Sequence, residues 1–569
     1  MTGPASRPPV RRRIRLLGGL AGLLAAAAGL AVSEAVAALL PGVTSPLLSV
    51  ANRAVDAAPR PVKEWAIETF GTADKPLLLG GVLLTVAVLV AAVGAVSVTR
   101  RSAGYLTLAG LTLVAAAAAV TDRAASSPTA MRLLPVAVLA AVAVGALQVL
   151  LGAFGRAQTP PAPAPQAAPS GSPRPGKPRL LLSAPGSDDG PPGRGDGDRL
   201  AGRVDGDDLP VAFDRRAFLR SAFAVSAVAV AGGAVAHGYG GPAARASRAT
   251  VSVPLPDQPA PALTRAMTLD VPGITPYLTP NQDFYRVDTA LSVPDVPVDS
   301  WRLRLHGRVE RELDLSFEDL LSRRLVERRI TLTCVSNPVG GEYVGNATWI
   351  GVPVRDLLEE AGVRAGADAV KSTSADDFTI GTPLQALLER DALLAVAMNG
   401  EPLPLEHGFP VRMVVPGLYG YVSATKWLVD LEVTRFADFE AYWTSRGYAA
   451  EAPIKTSSRI DVPRSFARVP AGPVPVAGVA WAQDRGVTGV EVRVDQGPWR
   501  PARLADEDSI DTWRQWVWEW DARPGTHLLE VRATDATGST QTAERAPIAP
   551  DGSTGWHSVQ VTVEGPANG

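Results

Sequence analysis

The sequence predicts a multi-domain protein in which an α-helical transmembrane module is followed by an α+β domain and then by an all-β, immunoglobulin-like sandwich. Three observations predict this order: long uncharged apolar stretches in the first 155 residues, short strands mixed with helices from Val251, and strands alone from Pro463. The predicted segments are a membrane module at 1–155, a linker at 156–214, an export signal or fifth transmembrane helix at 215–238, the α+β domain at 251–460 and the sandwich at 463–563.

Composition and cysteine content exclude several classes of protein. The chain has 569 residues and a net charge of -2, so it has no basic excess typical of nucleic-acid-binding proteins. One cysteine, Cys334, excludes an intramolecular disulfide, a c-type haem attachment and a cysteine-ligated iron–sulfur cluster. The first of the five histidines is His237, so the apolar stretches before it cannot hold a haem between two histidines.

Four apolar stretches have the length of roughly 20 residues that a helix needs to cross a bilayer. They lie at 16–40, 77–98, 103–120 and 133–154. Arginines precede the first stretch and fill the short turn after the second, at Arg100 and Arg101. Since positive residues in short loops mark the cytoplasmic side, the fourth stretch should return the chain to the cytoplasm.

The segment after these stretches predicts a linker and an export signal. Residues 156–214 are rich in Pro, Gly, Asp and Arg, which predicts a disordered cytoplasmic linker. Arg215-Arg216-Ala217-Phe218-Leu219 and the mild apolar run 221–236 then resemble a twin-arginine signal, with an ordinary fifth span as the alternative. Both interpretations place the rest of the chain outside. Export of folded proteins in this way is typical of cofactor enzymes, and 234–236 offers a cleavage site that the helix could equally retain.

The exported part contains strong local signals for individual elements. Strands are predicted at 301–307, 329–334, 411–416, 474–481, 489–495, 512–520 and 527–534, with helices beginning at Ser316 and spanning 354–361. Ser316 is the expected N-cap because Glu318 and Asp319 follow it. The tryptophans Trp513, Trp516, Trp518 and Trp520 are predicted to form core, with a carbohydrate-binding platform as the alternative.

Four segments, in a fixed order, resemble a known family. They are 279–286 (TPNQDFYR), 331–334 (TLTC), 398–412 with MNGEPLP and HGFPVR, and 414–428 with VVPG and KWL. In this order they resemble the sulfite oxidase family of molybdopterin-dependent oxidoreductases. The C-terminal run 516–541 is similar to the dimerisation domain of that family, which implies a possible homodimer.

The resemblance implies a molybdenum–molybdopterin cofactor with Cys334 as the metal ligand and catalytic residue. A lone cysteine is usually a small buried apolar residue, but molybdenum prefers soft sulfur ligands and the surrounding segments match. Arg286, Arg412 and Lys426 are candidates for the cofactor phosphate, which guanidinium groups bind well, and His407 is a further donor. The full set of predicted cofactor-binding residues is Asn281, Phe284, Tyr285, Arg286, Asp377, His407, Arg412, Thr425 and Lys426, with Asp376 as the alternative to Asp377.

Three departures from the family put its substrate in doubt. Sulfite oxidases follow the cysteine with Ala-Gly-Asn-Arg-Arg, whereas 335–341 here contains no cation. No tyrosine lies between Tyr343 and Tyr419, and Asp288 stands where the family often has His. A lost charge-assisted contact costs an anion about 1.5–3 kcal/mol of binding free energy. The departures therefore predict a substrate other than sulfite, such as a neutral oxo-acceptor.

The predicted activity is a two-electron oxygen-atom transfer by a multi-pass protein of the cytoplasmic membrane, with the catalytic domain on the extracytoplasmic side. The sequence contains no haem motif, so a separate electron-transfer partner is expected. The substrate is expected to be a small molecule, and no nucleic acid is expected to bind. The alternatives are an S- or N-oxide reductase of the same superfamily and a metal-free cell-envelope binding protein that keeps the fold.

Overall fold

Long helices form the N-terminal part of the described chain and β-strands dominate the rest. The computed structural model describes residues 9–40, 43–59, 62, 74–122, 128–154, 213–239, 243–290 and 293–565. They divide into two compact units, one of Met1–Val32, Thr85–Thr112 and Leu139–Ala231 and one of Ser33–Leu84, Leu113–Val138 and Gly232–Gly569. The predicted linker lies outside the described residues except for Phe213 and Asp214.

The N-terminal helices match the predicted apolar stretches. They are α1 (Pro9–Ala38), α2 (Pro46–Ala57), α3 (Asp74–Ser97), α4 (Arg101–Val120), α5 (Thr129–Leu151), α6 (Arg215–Tyr239) and α7 (Ala243–Thr250). Five of these, α1 and α3 to α6, are long and apolar enough to cross a membrane. The four predicted helices are thereby confirmed as helices, and residues 215–238, predicted to be an export signal or a fifth span, lie in or next to a fifth. Helix α2, capped by the Ser45 hydroxyl, was not predicted.

Glycines allow close approach between α1 and α3. A Cβ added to Gly94 would lie 2.1 Å from the carbonyl oxygen of Gly18, and one added to Gly22 would lie 2.1 Å from that of Val90. Apolar side chains gain little from association inside lipid, so tight backbone packing of this kind stabilises helix pairs.

The α+β domain is built around two sheets. Its strands are β1 (Arg302–Gly307), β2 (Leu313–Ser316), β3 (Val326–Thr333), β4 (Val344–Pro353), β5 (Ala369–Ser374), β6 (Thr379–Pro383), β7 (Leu393–Met398), β8 (Glu401–Pro402), β9 (Arg412–Val414) and β10 (Leu428–Thr434). One sheet has the order β2-β1-β10-β5-β6, with β1 and β10 parallel, and the other has the order β3-β4-β7-β8, with β9 paired to β7. Short helices α8 (Phe317–Leu321), α9 (Val354–Ala361), α10 (Leu384–Glu389) and α11 (Gly420–Ser423) connect them.

Local signals account for several of these elements. The Ser316 hydroxyl accepts a hydrogen bond from the Asp319 amide at 3.1 Å, and the Asp319 carboxylate accepts one from the Ser316 amide at 2.9 Å, as the predicted cap requires. Helix α9 ends at Gly362, whose φ of 70° lies in the left-handed region that glycine adopts readily. Strand β3 begins earlier than predicted and ends at Thr333, so Cys334 is the first residue beyond it.

The C-terminal domain is a sandwich of two sheets. Its strands are β11 (Ser457–Val462), β12 (Arg468–Pro470), β13 (Gly472–Trp481), β14 (Val487–Val494), β15 (Arg500–Pro501), β16 (Arg503–Leu504), β17 (Arg514–Ala522), β18 (Gly525–Asp535) and β19 (His557–Glu564). The sheet orders are β11-β13-β17-β16 and β12-β19-β18-β14-β15. Trp516 and Trp520 are buried in the core of this domain, and Trp513 is buried in the core of the α+β domain. The core prediction for these three is confirmed; the immunoglobulin-like topology stays a prediction.

The sandwich domain covers the free edge of β3. The Thr331 amide donates to the carbonyl of Asp511 at 3.0 Å, and Gln483 Nε2 donates to the Thr331 carbonyl at 2.9 Å. Arg329, also on β3, forms a buried bidentate ion pair with Asp508. These contacts attach the strand that leads to Cys334 to the C-terminal domain.

Candidate active site

Cys334 lies buried just after β3, and both its amide and its sulfur form hydrogen bonds with the backbone of the loop. Its amide donates to the Tyr343 carbonyl at 2.9 Å, and its Sγ accepts a hydrogen bond from the Ser336 amide at 3.4 Å. Burial raises the pKa of the Cys334 thiol. A soft metal ion would displace the thiol proton and take the thiolate as a ligand.

Cys334 faces a cavity of about 420 Å³. Segments far apart in sequence meet there: the chain before β1, the loop after β3, the turn after β5, the region around α11 and the loop after β10. The lining includes Phe284, Tyr285, Arg286, Asp288, Cys334, Tyr343, Asp376, Phe378, His407, Arg412, Tyr421, Lys426, Trp427, Trp443 and Tyr448. The cavity is large enough for a small organic cofactor or substrate.

Arg412 is the most buried cation of the cavity lining. It is 5% exposed, its Nη1 donates to the His407 carbonyl at 3.0 Å, and its guanidinium lies 5.0 Å from the ring centre of Trp349. Desolvation lowers its pKa to about 10, and its Nε has no hydrogen-bond partner in the described structure. A buried charge with an unused donor is suited to an anionic ligand.

A second group of charges surrounds Asp288. The Asp288 carboxylate lies 2.8 Å from Lys426 Nζ and 2.8 Å from Arg286 Nε, and its side chain is 4% exposed. Lys426 also donates to the Glu406 carbonyl at 3.2 Å, and desolvation lowers its pKa to about 8. The position where the family often has His thus carries a carboxylate that pairs with two of the predicted phosphate ligands.

His407 is held in its neutral form. Desolvation lowers its pKa to about 4, and Nε2 lies 2.9 Å from the carbonyl of Asn281. Since a carbonyl only accepts, Nε2 carries the proton and Nδ1 is left as an acceptor. The one ring N–H of neutral His407 is therefore used by the Asn281 carbonyl, and Nδ1 is an acceptor; that His407 donates to a cofactor stays a prediction.

Aromatic rings, which we call the aromatic wall, run along another side of the cavity. Edge-to-face contacts link Phe378 to Tyr442, Tyr442 to Trp443, Trp443 to Tyr448 and Tyr448 to Tyr421, with ring centres 5.2–5.5 Å apart. All except Tyr442 line the cavity. This surface is apolar apart from its hydroxyl and indole groups, and its residues were not among the site residues predicted from the sequence. The aromatic cluster after β10 was the signal available.

Six of the predicted cofactor-binding residues line the cavity and three do not. Phe284, Tyr285, Arg286, His407, Arg412 and Lys426 meet there with Cys334, although Asn281, Thr425 and Asp377 do not. Thr425 is fully buried behind the cavity and bonds Ser372. Asp377 is exposed, with a φ of 59°, whereas its neighbour Asp376 lines the cavity and burial raises the pKa of its carboxyl. The geometry therefore favours Asp376 over Asp377.

The Met-Asn-Gly segment is structural in this arrangement. Asn399 accepts a hydrogen bond from the Thr348 amide at 2.9 Å and donates to the Thr279 carbonyl at 2.9 Å and to Asn281 Oδ1 at 2.8 Å. Asn281 in turn donates to Glu401 at 2.6 Å. The segment thus holds the chain just before Phe284, which lines the cavity. In this way a motif that does not itself line the cavity can help to shape it.

The residues present fit a phosphate-bearing pterin. Arg412 supplies an unused buried donor, and Lys426 and Arg286 supply two further cations. Phe284 and Trp427 offer ring faces, Asp376 offers a carboxyl group that can bond ring nitrogens, and Cys334 offers one soft ligand. The donor set thus matches both the organic part and the metal of a molybdopterin cofactor.

Comparison with known proteins agrees with this fit. The family profile described as "Oxidoreductase molybdopterin binding domain" matches residues 290–443. The chain is 33% identical to sulfite oxidase of Gallus gallus over 322 residues, covering 48% of this chain and 70% of that protein. It is 30% identical to the mitochondrial sulfite oxidase of Homo sapiens, covering 50% of this chain and 62% of that protein. It is 36% identical to the uncharacterized oxidoreductase YuiH of Bacillus subtilis, covering 30% of this chain and 84% of that one.

The match spans 70% of the length of the Gallus gallus protein and 62% of the length of the Homo sapiens protein. Within that limit, the matched family profile includes the loop after β3, the turn after β5 and α11, which contribute to the cavity. The chain belongs to the sulfite oxidase family of molybdopterin-dependent oxidoreductases.

Proposed function

We propose that this chain binds a molybdenum–molybdopterin cofactor through Cys334 and carries out a two-electron oxygen-atom transfer on a small molecule. The observation that carries the proposal is the buried Cys334 thiol in the same cavity as Arg412, a buried cation with an unused donor. When bound, the cofactor supplies the redox chemistry, and the protein supplies ligation, shape and charge.

The charged residues of the cavity have different roles in binding the cofactor. Arg412 and Lys426, both buried, bind its phosphate, and Arg286 approaches from the more exposed side. Asp288 offsets part of this positive charge, so the site holds a phosphate without an excess of buried cations. Asp376 and Phe284, which line the same cavity, would orient the pterin ring, and Cys334 would hold the metal.

The substrate is neutral. The three cations that line the cavity in the described chain are those assigned to the phosphate, and two of them already share Asp288. The loop after Cys334 adds no cation where sulfite oxidases have arginines. The aromatic wall instead provides apolar surface beside the site, which favours a neutral oxo-donor or oxo-acceptor over a sulfite dianion.

The catalytic domain lies outside the cytoplasmic membrane and remains attached to it. Phe154 and Phe213 form an isolated antiparallel bridge, and their rings lie 4.9 Å apart, so the two ends of the linker meet. This supports placing the end of α5 and the start of α6 on one side of the membrane. Phe218 and Val225 of α6 are buried in the same apolar cluster as residues of α1 and α3, which supports an uncleaved fifth helix.

Electrons pass to or from a separate protein partner, and the sandwich domain forms the homodimer contact that the family resemblance implies. The domain boundaries predicted from the sequence remain part of this proposal, except that β11 (Ser457–Val462) pairs with β13, so the sandwich domain begins at Ser457 rather than at 463.

The test is the metal and pterin content of the full-length protein purified from a host that makes the cofactor. We expect about one molybdenum per chain in the wild type and a folded Cys334→Ser variant without oxygen-atom transfer. Ser322→Ala is the matched control, because Ser322 is exposed and its hydroxyl bonds the carbonyl of Asp319, away from the cavity. A wild-type protein without molybdenum or pterin would overturn the proposal in favour of a metal-free binding protein. Assays in both directions separate an oxidase from an S- or N-oxide reductase.

A further inference from the structure

The loop that begins with Cys334 contacts two different parts of the molecule. Cys334, Val335 and Ser336 line the large cavity. The following residues face the sandwich domain, where a second, water-sized cavity of about 10 Å³ is lined by Asn337 and Gly340 of the loop and by Ser553, among others. The sandwich domain therefore lies against the part of the loop that does not face the cavity.

Two side chains of the sandwich domain hydrogen-bond the loop backbone. The Ser553 hydroxyl donates to the carbonyl of Asn337 at 2.8 Å, and Arg459 Nη1 donates to the carbonyl of Gly341 at 2.8 Å. Asn337 Oδ1 closes the loop by accepting a hydrogen bond from the Tyr343 amide at 2.9 Å. Because these carbonyls flank the turn, the loop cannot move away from the sandwich domain without breaking both contacts.

A steric contact restricts the loop between these two points. Gly340 has a φ of 80°, and a Cβ placed on it would lie 2.1 Å from Cδ2 of His557. His557 is itself fixed, because its Nδ1 accepts a hydrogen bond from the Ile460 amide at 2.9 Å. The imidazole ring thus limits how far the loop can approach, while Arg459 and Ser553 limit how far it can withdraw.

The strand before Cys334 is held by the same domain. The hydrogen bonds of Thr331 to Asp511 and Gln483 lie three residues before the thiol. Cys334 is therefore flanked on both sides, in sequence, by backbone that the sandwich domain fixes. The catalytic domain alone supplies the Tyr343 and Ser336 contacts of Cys334 but none of these.

We propose that the sandwich domain positions the metal-binding thiolate, with Arg459, Ser553 and His557 as its positioning residues. The role rests on the proposed function and is separate from dimerisation. Reactive groups need to be held within a fraction of an ångström of their working geometry. Contacts from a second domain fix the conformation of the loop between β3 and β4, which would otherwise be held only at its two ends and by its own hydrogen bonds.

The first test measures hydrogen exchange of the loop amides in the full-length, cofactor-free protein. Gly341 and Tyr343 are the reporters, since both amides bond within the loop. Losing one hydrogen bond of about 1 kcal/mol should speed their exchange about fivefold in Ser553→Ala, and Arg459→Gln should speed it more.

The matched controls remove similar bonds elsewhere in the sandwich domain. Thr554 is adjacent to Ser553 and its hydroxyl donates to the Glu544 carbonyl at 2.6 Å, while Arg514 Nη1 donates to the Val487 carbonyl at 2.7 Å. Thr554→Ala and Arg514→Gln should leave loop exchange within about twofold of the wild type. Equal exchange in Ser553→Ala, Arg459→Gln and the controls would overturn the proposal.

The second test uses the cofactor-loaded protein. The absorption band of the metal–thiolate bond should shift in Arg459→Gln and return toward the wild type in Arg459→Lys, which keeps one donor and the charge. An unchanged band in Arg459→Gln would also count against the proposal. Should Arg459→Gln not fold, Ser553→Ala and Gly340→Ala, which forces the loop against His557, give the same two readouts. The exchange test needs no metal, so it is independent of whether the proposed function holds.

Discussion

Lys426 gives the cofactor-free protein a pH dependence of stability with a defined sign. Burial lowers the pKa of its ammonium from 10.5 to about 8 in the folded chain, despite the ion pair with Asp288. Below pH 8 the folded and unfolded chains both carry the proton. Between pH 8 and 10.5 the folded chain has lost a proton that the unfolded chain retains, so unfolding takes up a proton and the free energy of unfolding rises with pH.

The size of this effect follows from the difference between the two pKa values. At 1.36 kcal/mol per pKa unit, it amounts to roughly 3 kcal/mol between pH 8 and 10.5. Lys426 is 8% exposed, so solvent screens little of it. Lys426→Arg keeps the cation and the partner Asp288 but cannot lose its proton in this range, and Lys426→Met removes the charge.

The assay is chemical unfolding of the full-length protein in mild detergent at a series of pH values, followed by tryptophan fluorescence. Trp427 is a local reporter, because Lys426 Nζ lies 4.6 Å from its ring centre. The quantity compared is the free energy of unfolding of the wild type minus that of each variant, since other groups that titrate cancel in the difference. We expect this difference to rise by roughly 3 kcal/mol from pH 8 to 10.5. A flat difference would refute a desolvated ammonium in the cavity, and bound phosphate should reduce the slope.

Three further predictions concern packing and hydrogen bonding. Arg329→Met leaves Asp508 buried without its cation and should lower the free energy of unfolding by about 3–5 kcal/mol; chemical unfolding should show most of this loss recovered when Asp508→Asn is added. Asn399→Ala removes three hydrogen bonds and should cost about 2 kcal/mol or more, with faster hydrogen exchange at Thr348 and no such change in the surface variant Ser322→Ala. Gly94→Leu places a side chain against the backbone of α1 and should lower the thermal unfolding midpoint of the helical part in detergent, whereas a variant at Gly110, which has open space, should not.

The positions of the aromatic wall and of the acidic residues around the cavity could not be predicted from the sequence. Asp376 and Asp377 are neighbours in one turn, and which of them faces the cavity depends on a left-handed φ at Asp377 that sequence alone did not reveal. The wall brings together Phe378, Tyr421 and the loop after β10, which are up to 70 residues apart. The departure at Asp288 was visible in the sequence, but its ion pairs were not.

What the sequence determined by itself is the part of the protein governed by local chemistry. Apolar length located the long helices, a hydroxyl followed by acidic residues located the start of α8, and the family resemblance of the short segment TLTC and its companion segments implied Cys334 as the metal ligand. Each of these depends on short segments of the chain, so the pattern can be read without knowing the fold.

Only the tertiary structure decided which distant side chains meet. Asn399 forms hydrogen bonds that hold the chain before the cavity, and Arg459 and Ser553 form hydrogen bonds that hold the Cys334 loop. These bonds join segments from about 50 to more than 200 residues apart. Such contacts depend on how sheets pack and which loops they bring together, and no local pattern encodes that choice. The physical reason is that burial and hydrogen-bond geometry at the site belong to the packed chain as a whole, whereas helix and strand signals belong to its short segments.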